Sequence, residues 1–350
     1  MDRSALFDTA TDHVQDILTI ALDHPPDRRT VIVFDEHSAL SKLLSRAYRS
    51  VRPVAEAYDI DQSGPETVLA KLDTLSPGDL VVMVQSSRFR LSQFRIRIEL
   101  FKRRLKVIEH PHLARIRESE YGTYVDALAY DPHYYRTLGP HLKARIAKAR
   151  EIRIVCKDTE LVYTGPFLDP RLNIGDYAGM HNIGGQFPIG ELFTEPKAID
   201  RVKGAVQIFA FGDADFSVHV PNRPFLVTIE QGILVSCPDA PSRFQAVLDE
   251  IREEERVVWV RELGFGLNRA LTRDRRVSDI GAYERMCGVH LSLGAKHLQY
   301  KREGFPKKRG FHVDVFVDVQ RVMVDGTPLY RDGGYMHGLA EEDDHGRERL

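Results

Sequence analysis

At 350 residues the chain has length for about two domains of ordinary size and needs no staple to bury a core. Its 49 Lys+Arg against 51 Asp+Glu leave a formal charge of −2, which is not the balance of a polycation built for nucleic acid. No run approaches the ~20 apolar residues of a membrane-spanning helix, so no membrane partner is expected.

The N-terminus, MDRSALFDTATDHVQDILTIALDH, lacks the basic region and continuous apolar stretch of a signal peptide. Cys156, Cys237 and Cys287 are far apart and form no CxxC pair. A disulfide framework and a thiolate zinc site are therefore not indicated, and a cytoplasmic protein is expected.

From Thr30 onward short apolar runs alternate with helical patterns: TVIVF, SALSKLLSRAYRSV, PVAEAYDI, PETVLAKLDTL, DLVVMVQ. That rhythm predicts βαβ units and a parallel sheet. Phe94, Ile98, Phe101 and Leu105 keep helical spacing, and LKVIEH returns as a further strand. No strand runs into GxGxxG or GxxxxGK[ST], so the phosphate-cradling turn of a nucleotide site is missing. Arg88, Arg90, Arg95, Arg97, Lys102, Arg103, Arg104 and Lys106, with Glu99 alone opposing them, form the densest charge patch. The apolar stripe through it reads as a solvated amphipathic helix face, so no nucleic-acid partner is expected.

Residues 111–150 read as helices interrupted by DP and GP turns. Beyond them EIRIVCKD, TELVYTG, VQIFAFG, RPFLVTIEQGILV, RVVWVREL and HVDVFVDVQRVMVDG are β runs punctuated by Gly, Asn and Asp. The expected fold class is α/β plus α+β. An N-terminal open, doubly wound α/β domain spans 1–150; a mixed, mainly antiparallel, β-rich metal-binding domain spans 151–336; and 337–350 form a polar C-terminal tail.

Four segments of the second domain carry chemistry. In FHVDVFVDV a strand turns Phe311, Val313, Val315 and Val317 to one buried face and His312 and Asp314 to the other, an imidazole and a carboxylate side by side. CGVHLSLG places His290 among small and apolar residues, where the plain alternative is a satisfied core histidine. In RVVWVRELGFGLN, Glu262 closes an apolar strand ahead of a GxG-type turn, where it could instead pair with Arg261. GGQFPIGELFTEP sets Glu191 in a loop of Gly and Pro with Phe187, Ile189 and Phe193 for neighbours. A carboxylate there needs a partner. Three carboxylates and two imidazoles suffice for a two-metal site, whose ions would neutralise the converging negative charge.

Those four segments resemble, in order and rough spacing, motifs of the aminopeptidase T/aminopeptidase S family of dinuclear metallopeptidases: the Gly-Glu-Val-Phe-Thr loop, the second Glu, the His-hydrophobic-Ala-Leu-Gly motif and the His-x-Asp strand. The resemblance covers roughly residues 150–330. It implies Glu191, Glu262, His290, His312 and Asp314 as ligands of two divalent ions (Zn, Co or Mn), with Glu191 or Glu262 moving the proton. It implies a peptide or small amide as substrate and a homodimer. Where the family has a catalytic Tyr this chain reads HLSLGAKHLQY, which puts His297 in that place with Tyr300 just beyond. Glu284-Arg-Met-Cys-Gly replaces the family's Glu-Asn-Ala segment ahead of the motif histidine.

The expected function is thus a metal-dependent hydrolase, an aminopeptidase. The alternative is a ring-cleaving non-haem Fe(II) dioxygenase of the dihydroxypyridine type, whose fold the sequence also resembles, with one Fe(II) on His290, His312 and Asp314. There the position matching Glu262 is a His and that matching Glu191 is apolar. A non-catalytic metal-binding relative is the third reading.

Overall fold

A computed structural model describes residues 3–87, 96–178, 184–296 and 312–336. The first half builds an open sheet from β1 (Thr30–Phe34), β2 (Glu56–Asp59), β3 (Leu80–Val84) and β4 (Lys106–His110), all parallel. β1, β3 and β4 are buried along their whole lengths, which is why they read as continuous apolar runs. On one face lie α1 (Arg3–Asp16) and α2 (Ala39–Val51). Ser38 caps α2 by accepting from the Ser41 amide, and Leu40, Leu44, Ala47 and Tyr48 form its buried stripe. On the other face α3 (Ile60–Leu72) and α4 (Ile96–Lys102) cover Val31, Val33, Val81 and Met83 with Val68, Leu72, Ile96 and Leu100. The sheet is therefore doubly wound.

Two helices, α5 (Tyr121–Asp126) and α6 (Pro132–Lys148), lead out of this layer. The antiparallel sheet then begins with β5 (Glu151–Val155), β6 (Glu160–Thr164) and β7 (Arg171–Asn173). The chain next returns to the first layer. β8 (Gly184–Gln186), past the boundary expected at residue 150, pairs parallel with β4 and makes the order β2-β1-β3-β4-β8. The remaining strands are β9 (Glu191–Thr194), β10 (Val202–Gly212), β11 (Val218–His219), β12 (Phe225–Glu230), β13 (Ile233–Ser236), β14 (Val260–Gly266), β15 (Gly288–Gly294), β16 (His312–Val317), β17 (Arg321–Val324), β18 (Thr327–Arg331) and β19 (Gly334–Tyr335). They complete a 14-stranded sheet whose pairings are antiparallel, and α7 (Ser242–Glu255) and α8 (Ile280–Tyr283) lie between its strands in sequence.

One apolar cluster runs from α1 through α6 into β10, β15 and β16, so the two sheets share a core. A buried polar chain ties them as well. Tyr48 donates to His110 Nε2 at 2.7 Å, His110 Nδ1 meets the Tyr124 hydroxyl at 3.2 Å, and Tyr124 donates to the Phe187 carbonyl at 3.2 Å. That direction fixes His110 as the neutral Nδ1–H tautomer.

Of the expected basic patch Arg88, Arg90 and Arg95 lie outside the described residues, and four of the others are engaged by this chain's own groups. Arg97 pairs with Glu109 at 2.7 Å, Lys102 with Glu99 at 2.8 Å and Arg103 with Asp73 at 2.5 Å, and Lys106 donates to the Leu22 carbonyl at 2.6 Å. Among the described residues no helix is long and apolar enough to cross a membrane. The expected polar tail over 337–350, Phe94 and Phe311 lie outside the described residues.

Candidate metal centre

The strands β16, β15, β14 and β9 are consecutive neighbours in the sheet, and they carry the four chemical segments onto one patch. In the ladders Asp314 faces Ser292, His312 faces Gly294, His290 faces Gly264 and Glu191 faces Gly266. Small residues thus stand opposite each of these four side chains on one side, while on the other His290 faces Phe316 and Glu191 faces Asn173. Glu262 reaches the patch through a bulge, since the register slips by one residue between the Val260–Leu293 and Leu263–Leu291 pairs. Its amide donates to Ser292 Oγ at 3.1 Å in place of a ladder carbonyl.

Two details differ from the sequence reading. The strand carrying Glu262 does not end in a turn: β14 continues through Gly264 to Gly266. Gly264 is there for space, because a Cβ on it would lie 2.0 Å from Nε2 of His290. Glu191 is not a loop residue but the first of β9, and all four residues of that strand are buried. The second face of β16 is also covered. Asp314 and Phe316 are buried, and the Phe316 ring packs against Tyr283, Phe209 and His290.

Ligand atoms of Glu191, Glu262 and His290 lie within 4.8 Å of one another, and so do those of Glu262, His312 and Asp314. Glu262 belongs to both groups. His290 Nε2 stands 3.5 Å from Glu191 Oε1 and 3.6 Å from Glu262 Oε1, while His312 Nε2 stands 3.5 Å from Asp314 Oδ1. His312 Nδ1 lies 3.3 Å from the Ala295 carbonyl, which makes Nδ1 a donor and turns Nε2 toward Asp314. Arg261 does not take up Glu262; it donates to the Gly294 carbonyl at 2.8 Å.

Burial pushes the Glu262 carboxyl above its usual range, with His290 and His312 pulling the other way. For His290 burial disfavours the charge, but Glu191, Glu262 and Asp314 outweigh it and take the imidazole up to about 10. His312 is raised in the same way, its burial outweighed first by Asp314 and then by Glu262.

These residues fit a bound cation on an independent count. Glu262 Oε2, Asp314 Oδ1 and both ring nitrogens of His290 are buried without a hydrogen-bond partner among the described residues. Buried polar atoms are ordinarily satisfied, and leaving one bare costs about 1–3 kcal/mol. His290 is therefore not the satisfied core histidine of the plain reading. A divalent ion at each group would satisfy Glu262, Asp314 and one ring nitrogen of His290 through oxygen and nitrogen donors, the set that zinc and neighbouring metals prefer.

Of the residues named from sequence, the structure brings together Glu191, Glu262, His290, His312 and Asp314. His297 and Tyr300 lie outside the described residues. Sequence reasoning passed over Ser292, which lies midway between His290 and Gly294, and assigned no role to Arg285. The latter is buried, donates from Nη1 to the Gly281 carbonyl at 2.7 Å and sets Nη2 3.5 Å from Glu191 Oε2.

No family model and no curated protein matches the sequence. Solved structures share its fold, two of them over nearly the whole chain. The 2,5-dihydroxypyridine dioxygenase of Pseudomonas putida KT2440 aligns at a TM-score of 0.63 and 12% identity, over 98% of this chain and 99% of that one. Wild-type AmpT from Thermus thermophilus, an aminopeptidase T, aligns at 0.57 and 12% identity, over 94% and 99%. Both are enzymes; at that identity the likeness is one of fold.

Proposed function

We propose that the chain is a metal-dependent hydrolase, an aminopeptidase that removes N-terminal residues from peptides or cleaves a small amide. The observation that carries this reading is the pair of ligand groups joined at Glu262. Two divalent ions bound there would supply an acidified water and a polarised scissile carbonyl, the chemistry amide hydrolysis needs near neutral pH. Glu191 belongs to one ligand group and Glu262 to both, so proton transfer from water to the leaving amine is assigned to Glu191. Ser292 holds the Glu262 backbone and Ala295 orients His312, which fixes both ligands before substrate arrives. A free substrate amine fits this excess of carboxylates, and that favours cleavage at the N-terminus. His297 and Tyr300 remain the proposed donors to the oxyanion.

The ring-cleaving alternative has the dioxygenase's likeness of fold in its favour. Its iron calls for two imidazoles and one carboxylate, whereas each ligand group here has one imidazole and two carboxylates. The deciding experiment supplies Zn²⁺, Co²⁺ or Mn²⁺ and follows a panel of dipeptides. In parallel, Fe²⁺ and a dihydroxypyridine are followed by oxygen uptake. Dipeptide cleavage lost in both His312→Ala and Asp314→Ala supports the hydrolase. Cleavage retained in either variant, or oxygen uptake with no cleavage, overturns it. Metal held tightly with neither activity marks a binding protein.

A further inference from the structure

We infer that Arg285 makes the two ends of the metal centre unequal: its guanidinium competes with a cation for Glu191, so the Glu262–His312–Asp314 group fills first and the Glu191–Glu262–His290 group second. This rests on the proposed metal centre and assigns it an order of loading and a residue that sets that order.

Arg285 carries a charge it cannot shed by deprotonation. It is held in place at both ends. Its backbone carbonyl accepts from the Asn268 amide at 2.9 Å, and its amide closes the turn after α8 on Ala282. The helix itself is capped at its start by Asp279, which accepts from the Ala282 amide at 3.0 Å. The side chain donates to the Gly281 carbonyl, pairs with Glu284 and stands 3.5 Å from Glu191 Oε2. With 7% of that side chain exposed, water screens the charge poorly.

Glu191 is therefore already partly satisfied by a fixed cation on one oxygen, while its other oxygen faces His290. A divalent ion in that group must share Glu191 with Arg285 and bear its repulsion. In the other group, no Arg or Lys among the described residues pairs with Glu262 or Asp314. The structure thus sets two carboxylates that face only imidazoles beside one that also faces a guanidinium. A unit charge a few ångströms from a ligand atom in so poorly screened a place disfavours a second cation by about tenfold or more in affinity.

The test is calorimetric titration of metal-stripped, full-length protein with Zn²⁺, for wild type, Arg285→Gln, Arg285→Lys and Glu191→Gln. Wild type is expected to bind in two steps, the second at least about tenfold weaker. Arg285→Gln keeps a donor for Gly281 but no charge, and it should tighten the second step by about tenfold without moving the first. Arg285→Lys keeps the charge and the wild-type order. Glu191→Gln should abolish the second step alone, which tests the order even where Arg285→Gln does not fold. A second step unmoved in Arg285→Gln, or a first step lost in Glu191→Gln, overturns the inference and leaves the metal centre standing. No uptake by wild type overturns the centre itself, and the inference with it.

Discussion

Gly264 lies beneath the imidazole of His290, close enough that a methyl group on it would meet Nε2 at 2.0 Å. The neighbour in the way is a buried ring between carboxylates, not the free end of a flexible chain. Gly264→Ala should therefore displace His290 and loosen the Glu191–Glu262–His290 group. Overpacking of this kind costs about 1–3 kcal/mol. Urea unfolding of the metal-stripped protein reads that loss. In a His290→Ala background the same substitution should cost much less, because the two changes share one contact.

Ser292 supports the bulge that aims Glu262. Ser292→Ala removes the acceptor of the Glu262 amide and leaves that N–H buried. A loss of about 1–3 kcal/mol in unfolding free energy is expected, together with weaker metal binding in both groups, because both include Glu262. Ser292→Thr, which keeps the hydroxyl, should retain most of the binding. Equal binding by the alanine variant in calorimetric titration would count against the supporting role.

The protein should lose stability in acid through two histidines that belong to neither candidate ligand group. Burial takes His110 down to about 3, and burial with the charges of Arg52 and Lys106 takes His24 down to about 4. Both pKa values lie below that of an unfolded histidine, so the unfolded state binds more protons between those values and pH 6.5. Their contribution is intact above about pH 6.5 and lost as pH falls toward 4 and then 3. Each adds at most about 1.4 kcal/mol per pH unit to the slope. In His110→Gln the dependence of unfolding free energy on pH should flatten by up to that amount between pH 6 and 4.

Much of this arrangement was legible in the sequence because burial pattern and element type coincide. TVIVF, LVVMV and KVIEH read as strands covered on both faces and are so. HxD on an alternating strand placed His312 and Asp314 on one face, where they lie. What stayed hidden depends on contacts between distant segments. Gly184–Gln186 has no β pattern, yet it becomes the fifth parallel strand because Gly184 admits Val107: a Cβ there would lie 1.6 Å from the Val107 carbonyl oxygen. The GFG of β14 looks like a turn until His290 is laid over it. Arg285 drew notice only as a departure from a motif, since nothing local says that its guanidinium meets Glu191.

If the proposed ions are bound, removing them should lower the melting temperature, because they would compensate a buried cluster of three carboxylates. At a free ion concentration near 100 times Kd each site contributes about 2.7 kcal/mol to the folded state. A chelator should remove that increment from wild type and change the melting of His312→Ala by a smaller amount. Identical shifts in both proteins would place the stabilising metal elsewhere.

The most direct test of the shared ligand is Zn²⁺ bound per chain at saturation, by equilibrium dialysis, for wild type and Glu262→Gln. Two ions in wild type, and fewer than one in the variant while its circular dichroism is unchanged, is the result predicted here. A wild type that binds no ion, or a variant that binds as many as wild type, would contradict a centre built on Glu262.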